Sequence, residues 1–111
     1  MSSGARDRRD TPSRGARPGE TPAMRRLRRR IDALDRRVVA LLNERARVAR
    51  ELGRLKAAEG RAVRDPDRER EVLLRVAAAN EGPLAQTDLI ALYRRVMTAT
   101  RRLESLDRRA R

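Results

Sequence analysis

An apolar seam through the first half of this chain decides what it can fold into. Met24, Leu27, Ile31, Leu34, Val38, Leu41, Arg45, Val48, Leu52 and Leu55 follow one another at alternating spacings of three and four residues. That period is the core-facing stripe of one amphipathic helix packed against other helices. Thr21-Pro22 supplies a capping hydroxyl followed by proline at the first helical position, and Gly60 supplies a stop. The predicted helix is about 38 residues, or roughly 57 Å, long. A compact monomer of this size has a radius of gyration of about 13 Å, so such a helix outruns it. Two shorter helices cannot cover the whole stripe, and the expected remedy is an intertwined homodimer in which two long helices pack antiparallel.

The rest of the chain reads as two more helices. Asp65-Pro66 repeats the cap-plus-proline signal and opens a helix whose apolar stripe is Val72, Leu73, Val76, Ala77 and Ala79. Asn80-Glu81-Gly82-Pro83 ends it. A third helix is expected from about Leu84 or Thr87 to about Leu106, with Leu89, Tyr93, Val96, Thr100 and Leu103 on one face. No segment alternates as a strand does and none repeats. The fold class expected is therefore all-α, a three-helix protomer within an antiparallel helical dimer. Residues 1–20 are rich in Ser, Gly, Pro, Arg and Asp and read as a disordered basic arm; residues 21–106 form the helical domain; residues 107–111 read as a frayed tail. Gly53 lies inside the first helix, at a cost of about 1 kcal/mol relative to Ala, which suggests the close approach of another backbone.

Position 45 breaks the apolar run with a guanidinium. A charge on a buried stripe is costly unless something anionic meets it. Lys56 follows at about 20° of helical rotation and roughly 16 Å along the axis, so it shares that face. No acid lies on the stripe, and the pair suggests a pocket for a small anion. A buried ion pair with a neighbouring helix, or a side chain reaching to water, is the alternative. With a two-fold axis near residue 40, Arg28 of the partner subunit falls level with position 53, between Arg45 and Lys56. Within one chain Arg28 and Lys56 are about 42 Å apart, so only the dimer gathers the three cations, and it does so twice.

Composition narrows the chemistry. The chain has no Cys and no His, one Tyr, and no Phe or Trp. Disulfides and thiolate metal sites are excluded, and the commonest general base and metal ligand is missing. These absences point away from covalent or metal-dependent catalysis. The net charge of +13 invites a nucleic-acid reading. The stacking aromatics of single-strand binders are missing, however, and a basic binding protein would carry its Arg on exposed faces, not in the seam. No stretch has the length of a membrane span and no signal-peptide pattern is present, so a cytoplasmic protein without membrane or nucleic-acid partners is expected.

Two further groups stand out. Val63-Arg64-Asp65-Pro66-Asp67-Arg68-Glu69 lies where a loop feeds a helix N-terminus, whose free N–H groups suit polar or anionic ligands. Capping and surface ion pairing are the plainer explanation for those residues. Thr100 and Glu104 continue a face begun by Tyr93 and Met97, and a carboxylate on that face is unusual unless the helix end is solvated.

In order, Leu27-Arg28-x-x-Ile31-Asp32-x-Leu34-Asp35, Leu41-Leu42-x-Glu44-Arg45, Gly53-x-x-Lys56 and Val63-Arg64-Asp65-x-x-Arg68-Glu69 resemble the all-helical chorismate mutases over about residues 24–106. The resemblance implies an intertwined homodimer with shared active sites and a cofactor-free rearrangement of chorismate to prephenate in aromatic amino-acid biosynthesis. It implies that Arg28 of the partner subunit and Arg45 hold the two substrate carboxylates and that Lys56 donates to the ether oxygen and a carboxylate. Glu69, with the backbone near Asp65, would hold the ring hydroxyl, and Arg68 would support that loop. Thr100 would lie near a carboxylate and Glu104 would face the ether oxygen. The domain reads as free-standing, with association with another shikimate-pathway enzyme open to it. Two alternatives stay open. One keeps the fold and acts on 4-amino-4-deoxychorismate or isochorismate; the other is a basic helical dimerisation or nucleic-acid-binding protein.

Overall fold

The computed structural model describes residues 17–110. They form three helices: α1 Pro22–Ala58, α2 Pro66–Ala79 and α3 Gln86–Ala110. The all-α, three-helix protomer expected from the sequence is what forms. No helix among the described residues is long and apolar enough to cross a membrane. By packing, the chain divides at Val39 into two units, and each is described by itself.

The unit ending at Val39 holds the start of α1. Thr21 is its N-cap: Oγ1 accepts from the Met24 amide at 3.1 Å, and the Thr21 carbonyl accepts from the Arg25 amide at 3.0 Å. Residues 1–16 of the expected disordered arm lie outside the described residues. Residues 17–20, at its end, are not free. They make a turn with Gly19 at positive φ, and the Glu20 carboxylate takes the Arg28 guanidinium. Arg28 is thus ion-paired within its own segment, with its side chain half exposed.

The unit from Ala40 holds the rest of α1 with α2 and α3. The end of α1 is closed as the glycine signal requires. Gly60 takes the left-handed conformation at φ 72°, and the Arg61 amide reaches back to the Lys56 carbonyl at 2.8 Å. Asp65 caps α2, its Oδ1 accepting from the Arg68 amide at 3.1 Å, with Pro66 in the first turn. The α2–α3 connection is organised by Asn80, whose Oδ1 accepts from the Gly82 amide at 3.0 Å while Nδ2 donates to the Leu84 carbonyl at 3.1 Å.

The third helix corrects one expectation. It does not end near Leu106 in a frayed tail but continues to Ala110. The reason is tertiary. Arg50 on α1 forms a two-pronged hydrogen bond to Asp107, Nε to Oδ2 at 2.9 Å and Nη2 to Oδ1 at 3.0 Å. That fork pins the turn the sequence alone leaves solvated. Asp107 in return raises the Arg50 pKa further above its ordinary value, first through the hydrogen bond and then through its charge.

A single chain buries little. Met97 is its one buried large apolar side chain among the described residues, and the apolar seam positions of α1 from Met24 to Leu55 stand 44–63% exposed. Isolated exposed leucines are ordinary, but a continuous apolar stripe on a long helix is not.

Candidate active site

Within the unit from Ala40, α1, α2 and α3 line an open cavity of about 510 Å³. Leu41, Val48, Leu52, Val63, Val72 and Met97 give it apolar walls, and Arg45, Lys56, Asp65, Arg68, Glu69, Thr100, Arg101 and Glu104 give it polar ones. Seven of the eight residues singled out from sequence therefore line one cavity. The eighth, Arg28, belongs to the other unit and is expected there from a partner chain.

Gly53 on α1 faces Glu104, a residue of the cavity lining. A Cβ at this position would meet Glu104 Cγ at 3.1 Å and Cδ and Oε2 at 3.3 Å. The sequence suggested the close approach of a backbone; what approaches is the Glu104 side chain. The missing side chain on α1 makes room for a carboxylate from α3. Glu104 is buried at 7% exposure rather than solvated near its helix end. Its burial is compensated by Lys56, whose Nζ donates to Glu104 Oε2 at 3.4 Å and to the Val63 carbonyl at 2.6 Å. No acid lies on the α1 stripe, yet Lys56 has one, supplied by α3. Buried charges are tolerated in such mutual pairs.

Arg45 is held differently. Nη1 donates to Thr100 Oγ1 at 3.3 Å, and the guanidinium carbon stands 5.8 Å from the centroid of the Tyr93 ring. Thr100 Oγ1 donates in turn to the Val96 carbonyl at 2.9 Å. Among the described residues Arg45 is ion-paired with no carboxylate, whereas Lys56, Arg68 and Arg101 all are. A neutral hydroxyl and a ring face orient the guanidinium without neutralising it, so its charge is available to an anion in the cavity.

The α2 side carries the remaining polar groups. Glu69 accepts from Arg101 Nη1 on α3 through Oε2, while Arg64 Nε lies 3.9 Å from Oε1. Arg68 lies in the first turn of α2. Its amide is capped by Asp65, but its guanidinium turns to Glu71 at 2.6 Å, so it supports the loop through its backbone.

A family model described as chorismate mutase type II matches residues 27–105. The chain belongs to this family. Among curated relatives it is similar to a bifunctional chorismate mutase/prephenate dehydratase of Stutzerimonas stutzeri, 37% identical over 90 residues. A protein of the same description from Aquifex aeolicus is 33% identical over 85 residues. The matches take in 77% and 73% of this chain but only 25% and 24% of those relatives, so the chain spans about a quarter of their length. Among solved structures it is similar to a chorismate mutase from Thermus thermophilus, with a TM-score of 0.73 and 34% identity. That match covers 75% of this chain and 94% of the other. A second form of that protein matches with a TM-score of 0.68.

Sequence reasoning missed two parts of the cavity. Arg101 belongs to none of the motifs quoted above, yet Met97, Arg101 and Glu104 follow one another at spacings of four and three, and that spacing was the available signal. The fit between Gly53 and Glu104 has no local signal, because the two residues meet only when α1 and α3 pack.

Proposed function

We propose that the chain is a chorismate mutase that converts chorismate to prephenate by a [3,3]-sigmatropic rearrangement. One observation carries this reading: a cavity with apolar walls holds Lys56 and Glu104 together at one point and the unneutralised Arg45 at another, in a chain of this family. The reaction breaks one C–O bond and forms one C–C bond within a single molecule. Nothing is gained or lost, so no cofactor, metal or nucleophile is called for. The enzyme's work is to hold the compact conformer in which the two carbon termini meet and to stabilise the charge that develops on the ether oxygen as the C–O bond opens.

The residues divide that work. Arg45 takes one substrate carboxylate, with Thr100 fixing its orientation. Lys56, already anchored on the Val63 carbonyl, donates to the ether oxygen and a carboxylate. Glu104, held against Lys56, lies on the same side of the cavity and positions that ammonium toward the ether oxygen. Glu69, with the backbone at Asp65, takes the ring hydroxyl, and Arg68 supports that turn through its amide. The apolar walls limit the space to the folded conformer and keep water from weakening the charged contacts.

The second carboxylate falls to Arg28 of the partner subunit. The exposed seam of α1 supports an antiparallel homodimer, since burying a Leu, Ile or Val side chain fully contributes about 1.5–3 kcal/mol. In that dimer Arg28 exchanges its own Glu20 for substrate. The cytoplasmic location expected from the sequence belongs to the same proposal. So does an association with another enzyme of the pathway, a reading supported by the pairing of mutase with prephenate dehydratase in the names of the bifunctional relatives. The test is a spectrophotometric assay of chorismate loss with NMR identification of the product. Prephenate at a rate far above the uncatalysed reaction is expected. Turnover of isochorismate or 4-amino-4-deoxychorismate with none of chorismate would overturn the substrate, and duplex binding without turnover would overturn the class.

A further inference from the structure

Glu69 does not stand alone at the α2 side of the cavity. Its Oε2 accepts from Arg101 Nη1, a residue of α3 that itself lines the cavity. The Arg101 guanidinium is fixed at a second point, Nη2 donating to Thr98 Oγ1 at 3.3 Å. Both side chains of the pair are largely covered, at 28% and 20% exposure, whereas Arg64, loosely placed by the other oxygen, is open to water. One oxygen of Glu69 is therefore committed to a cation and the other, Oε1, is left to accept.

We propose that Arg101 is a specificity-determining positioning residue: by neutralising and aiming Glu69 it makes this end of the cavity select a ring hydroxyl and reject a ring amine. This rests on the reading of the chain as a chorismate mutase with Glu69 at the ring substituent. A neutral hydroxyl needs only an acceptor, which Oε1 remains. An ammonium needs an uncompensated negative charge, and here it meets a carboxylate already paired, with a guanidinium just behind it. Arg101 acts through Glu69 and through its own field, without touching the substrate.

The experiment compares chorismate with 4-amino-4-deoxychorismate, the latter as an alternative substrate or, where its turnover is below detection, as a competitive inhibitor of chorismate turnover. Wild type is expected to favour the hydroxyl. Arg101→Met should shift the ratio of the two towards the amine by about tenfold, the weight of one hydrogen bond to a charged group. Arg101→Lys, which keeps the cation, should hold the ratio within about threefold of wild type. Adding Glu69→Gln to Arg101→Met removes the freed carboxylate and should cancel the shift. Arg101→Gln serves in place of Arg101→Met if circular dichroism shows the latter unfolded. An equal loss towards both compounds would mean that Arg101 only holds α2 to α3, and would overturn the proposal. So would an unchanged ratio in Arg101→Met. Wild-type enzyme inactive on chorismate would instead overturn the parent reading, which separates the two failures.

Discussion

Replacing Gly53 by alanine should separate stability from catalysis. Alanine in a helix interior is worth about 0.8–1 kcal/mol over glycine. Against that, the new Cβ would stand 3.1 Å from Glu104 Cγ, where carbon atoms prefer about 3.5–4.0 Å. Glu104 must then retreat by roughly 0.4 Å or more. Being buried, it can do so only by leaving its rotamer, at a cost of about 0.5–1.5 kcal/mol. The two effects nearly cancel, and the unfolding free energy should stay within about 1 kcal/mol of wild type. Catalysis has no such compensation. The Lys56–Glu104 contact is already 3.4 Å long, and the same retreat takes it beyond hydrogen-bonding range. A misplacement of 1 Å can cost about a hundredfold, so roughly half that shift should cost about tenfold in kcat/KM. The assays are chorismate loss and urea unfolding at matched protein concentration. Wild-type kcat/KM would refute the reasoning by showing that the position of Glu104 does not matter. A stability loss of more than about 2 kcal/mol would refute it by showing that the glycine serves packing alone.

The remaining predictions follow from the same contacts. Arg45→Ala and Lys56→Ala should each lose about 3–4 kcal/mol of transition-state stabilisation while staying helical and dimeric by circular dichroism and sedimentation; near-normal turnover in either would remove that residue from the site. Arg28→Ala and Lys56→Ala homodimers should both be nearly inactive, and co-refolding them should restore activity, because one of the two sites in each heterodimer is then intact; heterodimers without recovery would disprove the antiparallel register. Glu104→Gln, which keeps a donor at the same place, should stay active in the chorismate assay, and Glu104→Ala should be poor; full activity in Glu104→Ala would place Glu104 away from the ether oxygen. Asp107→Ala should speed amide exchange in residues 107–110 while leaving chorismate turnover intact, and unaltered exchange would mean that the Arg50 fork does not hold the last turn. The fork should hold at neutral pH: a guanidinium whose folded pKa is raised contributes its stability fully below its ordinary value, and loses it only as pH rises through the raised one, far above neutrality.

Much of this protein was legible in one dimension. Helix periods, the caps at Thr21 and Asp65 and the stops at Gly60 and Gly82 are local signals, each satisfied by atoms within a few residues. They determined three helices and nearly all their boundaries. The α1 cations were legible for a related reason, since a charge in an apolar seam violates a periodic rule on a single element. The end of α3 was not, because Asp107 is held by Arg50 from a helix far back in the chain. Nor were the pairings inside the cavity. The sequence named Lys56, Glu69 and Glu104 without saying which cation meets which acid. Only the packing of α1 and α2 against α3 gave Glu104 to Lys56 across the gap left by Gly53, gave Glu69 to Arg101, and left Arg45 unneutralised. Periodicity specifies which face of a helix is buried; which side chains touch across two faces depends on their separation and rotation, and these are set when the helices pack.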